Sequence, residues 1–189
     1  RVFTPRRVNG LEAYMRAECA RLLDPFVGEP GFDAVEQFSI QLPLAVIGEL
    51  LGIPESLRQE VHHLADRMFT RDETGVPEDA AHAQVELGML LYGIVVDRRQ
   101  HLGDDVISLL ISSEVTDDAG TGWHLTDEEL TTRVLELAFA GHETVARLVA
   151  NGVVALAWYP EQRAELVADR SLLPDAVEEM LRWDAPSHY

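Results

Sequence analysis

The chain has 189 residues, 47% hydrophobic and 25% charged, the composition of a globular protein with a real core. Its 15 basic and 33 acidic groups give a formal net charge of -18. That excludes nucleic acid as a partner, because phosphate binding needs clustered cations, and it disfavours anionic membrane surfaces. Every basic residue is arginine, which we read as the codon bias of a GC-rich genome. Cys19 is the one cysteine, so no internal disulfide forms and a reducing, cytoplasmic compartment is expected. No secretory signal opens the chain. The longest uncharged apolar run, Leu87 to Val96, is too short to span a bilayer.

In chain order, Arg1 to Arg7 is a basic, proline-containing start. A helix is predicted over Asn9 to Pro25, then a loop at Gly28-Glu29-Pro30-Gly31. A helix from Val35 to Leu51 carries Pro43, which should kink it, and stops at Gly52-Ile53-Pro54. Glu55 to Phe69 is amphipathic, with Leu57, Val61, Leu64 and Met68 three or four apart. Arg71 to Pro77 reads as a polar loop, and Ala80 to His101 as a long helix. Asp104 and Asp105 open a short helix through Ile111. Asp117 to Gly122 is a turn, and Trp123-His124-Leu125 a short strand.

The longest predicted element follows. Thr126 and Glu129 form a capping box, and no proline intervenes before Pro160. One helix of roughly 30 residues, about 45–50 Å, is allowed. Leu130, Val134, Leu137, Val145, Leu148, Val149, Val153, Val154 and Trp158 cover much of its circumference, which predicts a buried helix. Two shorter helices complete the chain, one to Val167 and one from Leu173 to Trp183. With strand signals nearly absent, the fold class is all-α.

Mid-helix, Ala140-Gly141-His142-Glu143-Thr144 breaks local rules, the glycine alone costing about 1 kcal/mol against alanine. Glu136, Ala140 and Thr144 share a face, with Phe139 beside them. The small residues let a flat ligand approach the backbone. A buried Glu143 beside Thr144 would pair a proton donor with a hydroxyl relay. The spacing equally allows plain helix packing at Gly141, with Glu143 in solvent. His142-Glu143 starts an H-E-x-x-H pattern, but Ala146 stands where the second histidine belongs, so no zinc site is expected. Near the end, Glu179 and Arg182 are an i, i+3 pair, and Glu178 and Arg182 an i, i+4 alternative; spacing does not choose between them.

Taken together, Ala140 to Thr144 and Ala176-Val177-Glu178-Glu179-Met180-Leu181-Arg182-Trp183-Asp184, about 35 residues further on, resemble the bacterial soluble class of the cytochrome P450 family. Phe3-Thr4-Pro5-Arg6-Arg7-Val8 is similar to the end of that family's C helix, and Leu50-Leu51-Gly52-Ile53-Pro54 to the end of its E helix. The resemblance covers essentially the whole chain, 1–189. It implies one incomplete domain, helices D to K, with a long I helix and a K helix.

By this resemblance Thr144 takes the place of the threonine that hydrogen-bonds dioxygen at the haem, and Glu143 that of the neighbouring acid. Ala140 and Gly141 would lie over the cofactor. Glu179 and Arg182 would brace the haem core, and Glu136, Phe139, Ala140 and Ser187 would line the substrate pocket. Glu55 to Phe69 and Ala80 to His101 look like the lid-forming F and G helices. The implied activity is that of a haem-thiolate monooxygenase acting on a small hydrophobic natural product, with dioxygen and a ferredoxin-type redox partner. Glu136 would suit a cationic group on that substrate.

The chain departs from the family pattern in several respects, and one concerns the haem ligand itself. The family's Phe-x-x-Gly-x-x-x-Cys-x-Gly loop is absent, and Cys19 matches no ligand position. We therefore expect a piece of a longer enzyme, inactive alone. The alternative is a non-catalytic helical module that binds a ligand or a partner.

Overall fold

A computed structural model describes residues 4–70, 75, 77–117 and 120–187. Phe3 of the opening motif, most of the Arg71–Pro77 loop and Asp118 of the predicted turn lie outside them. The helices are α1 (Pro5–Gly10), α2 (Glu12–Leu23), α3 (Gln41–Leu51), α4 (Glu55–Phe69), α5 (Glu78–Gln100), α6 (Val106–Ser112), α7 (Asp127–Trp158), α8 (Pro160–Ala168) and α9 (Leu173–Trp183). The strands β1 (Val115–Thr116) and β2 (Gly122–Trp123) pair antiparallel, Val115 opposite Trp123. This is the helical architecture that the sequence patterns predict. Among the described residues no single helix is long and apolar enough to cross a membrane.

The chain forms two compact units, Arg1–Met15 with Leu44–Ala140, and Arg16–Pro43 with Gly141–Tyr189. The first holds the main core. Leu51, Leu87, Leu91, Val95, Val106, Ile107, Leu130 and Val134 are at most 1% exposed. Burying a side chain of this kind is worth about 1.5–3 kcal/mol. On α7, Leu130, Val134 and Ala138 recur every four residues and form the stripe that enters this core. Helix α4 packs along α5, and α5 on α6.

Polar caps fix the element ends in this unit. The capping box at the start of α7 closes both ways: Thr126 N donates to Glu129 Oε2 at 2.9 Å, and Glu129 N donates to Thr126 Oγ1 at 3.2 Å. Gly52 ends α3 in the left-handed region, φ +85°. From there the N–H groups of Gly52 and Ile53 both reach Gly48 O, at 3.0 and 2.8 Å. Against Gly52 stands the buried Asp105, the N-cap of α6, which accepts from Ser108 N at 2.8 Å and pairs with Arg98 Nε at 3.2 Å.

Three expectations need correction. Asn9 to Pro25 is two α-helices joined at Leu11, not one. Pro43 does not kink a long helix: it is the third residue of α3, where its missing N–H has no intrahelical partner to lose. The preceding residues form a separate π-helical turn, Val35–Ser39. Finally, α7 is not buried throughout. In the second unit Val153 and Val154 are more than 40% exposed, and Trp158 is 72% exposed.

Candidate active site

The residues singled out in mid-sequence all lie on α7. In the first unit, Glu136, Phe139 and Ala140 fall within about one turn. Ala140 is exposed and Phe139 part-buried, its ring edge-on to Phe69 of α4 with centroids 4.6 Å apart and planes at 85°. Phe69 was not singled out from sequence. Its place at the end of an amphipathic helix reads as an ordinary apolar position, and only the fold brings it to Phe139. Glu136 is exposed and accepts from Arg133 at 2.7 Å. Its carboxylate is thus paired with a neighbour on its own helix.

In the second unit, Gly141, Glu143 and Thr144 are all part-exposed. Glu143 does not have the buried setting expected for it. Its side chain is 45% exposed and forms an ion pair with Arg147 one turn on. The i, i+4 spacing explains this, since a guanidinium there reaches back over the carboxylate. His142, between Gly141 and Glu143, is buried.

Helix α9 resolves the choice left open by spacing. Arg182 grips Glu179, not Glu178, through two parallel bonds, Nε to Oε2 at 2.7 Å and Nη2 to Oε1 at 2.6 Å. That guanidinium holds the Glu179 carboxyl below its ordinary value and is itself pushed up. Glu179 borders an apolar cavity of about 340 Å³, lined among others by Gly152, Leu156, Met180 and Trp183. Tyr159 meets Trp183 there edge-on, centroids 6.1 Å apart. Ser187 is exposed beyond the end of α9.

The comparisons with known proteins agree with the motifs. The family model for Cytochrome P450 matches residues 37–182. The chain belongs to the cytochrome P450 family. The P450 monooxygenase PikC of Streptomyces venezuelae is 37% identical over 188 residues, 98% of this chain and 44% of that protein. The 6-deoxyerythronolide B hydroxylase of Saccharopolyspora erythraea is 37% identical over 185 residues, 97% of this chain and 44% of that protein. Among solved structures, the P450 PksS of the Bacillus subtilis 168 bacillaene polyketide synthase aligns with a TM-score of 0.85 at 30% identity, over 96% of this chain and 45% of that one. The chain thus spans less than half the length of the relatives it matches.

The family implies haem, and the donor chemistry of this P450 chain decides which side of that group it can serve. In the second unit Gly141 is small and part-exposed, and Thr144 adds a part-exposed hydroxyl on the next turn. An axial thiolate is another matter. Cys19 is the single thiol, sits in α2, and burial pushes it up from its ordinary value, away from the anionic form that ligates metals. The one thiol present therefore does not fit the thiolate ligation of a haem, and a small residue with a nearby hydroxyl is what this chain offers the group. Among the described residues no cluster of three or more His, Cys, Asp or Glu side chains can hold a metal ion.

Proposed function

We propose that this chain belongs to a haem-thiolate monooxygenase that inserts one atom of dioxygen into a small hydrophobic natural product, a polyketide or terpenoid scaffold. One observation carries the reading: an acid and an alcohol, Glu143 and Thr144, adjacent and part-exposed in the middle of a 32-residue helix, one buried histidine beyond two small residues. The names of the relatives support it, two of them being a monooxygenase and a hydroxylase and a third serving a polyketide synthase.

The haem, when bound, supplies the dioxygen chemistry and the oxygen transfer. The chain's own residues supply position and protons. Ala140 and Gly141 keep the helix surface low, so that the cofactor and a substrate fit against it. Thr144 offers an O–H that can donate one hydrogen bond and accept another. Glu143, open to water on one side, can take up a proton from solvent and hold it next to that hydroxyl. Phe139 gives an apolar, aromatic wall one turn earlier. Glu179 and Arg182 lock the face of α9 that braces the haem core. Ser187 would approach the substrate from beyond that helix. A ferredoxin-type protein is the electron donor in this reading, and the compartment is the cytoplasm.

The test is Thr144→Ala in the full-length gene product. Without the hydroxyl, protons reach the oxygen site out of step, and reducing equivalents go to hydrogen peroxide instead of product. We expect coupling to fall by about 10²-fold, the lower end of general acid–base contributions. Unchanged coupling removes Thr144 from the role assigned to it.

A further inference from the structure

A cluster outside the residues assigned so far stands at the last turn of α4. Arg67 reaches across to α5 and holds Asp79 with two bonds, Nη2 to Oδ1 at 2.5 Å and Nε to Oδ2 at 3.1 Å. Its remaining nitrogen, Nη1, reaches Glu86 Oε2 at 3.3 Å. One guanidinium thus bridges two carboxylates about two turns apart on the neighbouring helix. The fork is a rigid plane, so this grip fixes direction as well as distance. The arginine side chain is 30% exposed, far less open than its acidic partners.

Two residues beyond Arg67, the chain presents Phe69. This ring is 48% exposed, and its one aromatic partner among the described residues is Phe139. Phe139 in turn precedes Ala140 on α7. The clamp therefore holds the piece of backbone from which Phe69 meets Phe139. All five residues belong to the first unit.

We propose that Arg67, clamped by Asp79 and Glu86, is a positioning residue: it sets where Phe69 stands against Phe139 and so the width of the approach to residues 136–140 of α7. The inference rests on the reading of residues 136–140 as pocket lining. It assigns no chemistry to Arg67 itself. Losing the clamp loosens the last turn of α4, and Phe69 yields to large entrants while small ones pass as before.

The experiment uses the full-length ferric protein and two probes, imidazole and 4-phenylimidazole, whose entry is followed by stopped-flow optical spectroscopy. Arg67→Gln should speed 4-phenylimidazole entry about two- to fivefold, the range open to a partly exposed ion pair, and leave imidazole unchanged. Phe69→Ala should do the same, and the double variant should add nothing, because both act on one element. Arg67→Lys, which keeps the charge but not the fork, should fall between. Asp79→Asn with Glu86→Gln reaches the same clamp from α5 and guards against a fold defect peculiar to position 67. Amide exchange over Asp66–Thr70 should rise in the Gln variant without any probe present. An Arg67→Gln rate equal to wild type while Phe69→Ala is faster overturns the proposal, as does equal acceleration of both probes. If the full-length protein takes up no haem, the functional reading falls first, and this inference with it.

Discussion

Replacing Gly52 with alanine tests how the first unit is pinned together. A Cβ at that position would stand 2.4 Å from Asp105 Cγ and 2.5 Å from its Oδ2, with φ at +85°. Asp105 cannot simply swing aside: its side chain is only 8% exposed and is held by Ser108 N and Arg98. Two costs follow. The left-handed backbone conformation costs a residue with a Cβ about 1–2 kcal/mol. Displacing Asp105 forfeits the α6 cap, typically about 1 kcal/mol, and disturbs a largely buried ion pair besides. We expect Gly52→Ala to destabilise by about 2–4 kcal/mol, a fall of about 1 M or more in the urea midpoint. Gly88→Ala and Gly93→Ala are the controls. Both glycines lie inside α5 with nothing within 4 Å of the added carbon, so each should stabilise by about 0.5–1 kcal/mol. A Gly52→Ala midpoint within error of wild type refutes the close approach of Gly52 to the Asp105 cap.

Thr126→Ala removes one half of the capping box and should cost about 1 kcal/mol, with faster amide exchange confined to the first turn of α7; protection there unchanged from wild type would refute the cap. Glu179→Gln tests the α9 pair through pH. The arginine lowers the folded-state pKa of Glu179 below its ordinary 4.5, so the pair's contribution is fully present above about pH 4.5 and is lost as pH falls through the lower, folded value. Wild type and variant should therefore differ by a constant amount near neutrality and converge in acid. A gap that widens below pH 4 has the opposite sign and would contradict the pairing.

Much of this fold is legible in the amino-acid sequence because its elements carry their own boundary signals. Thr126 and Glu129, Asp105, and Gly52-Ile53-Pro54 mark helix ends by side-chain chemistry alone, and the structure places those ends at or next to them. Helix α4 runs from Glu55 to Phe69 as its apolar spacing predicts, and α9 from Leu173 to Trp183. What the sequence conceals depends on context. Pro43 is disruptive inside a helix and harmless in a first turn, and nothing local says which applies. The apolar circumference of α7 predicts burial all round, yet only the half carrying Leu130, Val134 and Ala138 meets the main core. Glu143 reads as a buried acid until Arg147 is seen reaching back to it. Phe69 and Phe139 are 70 positions apart, and no periodicity links them.

The central proposal is that this chain is part of a haem-thiolate oxygenase. The most direct measurement is the reduced carbon-monoxide difference spectrum of the full-length gene product. The account predicts haem uptake and the strongly red-shifted Soret band of a thiolate-ligated iron. A folded full-length protein that takes up no haem, or a Soret band of iron ligated without thiolate, would contradict it.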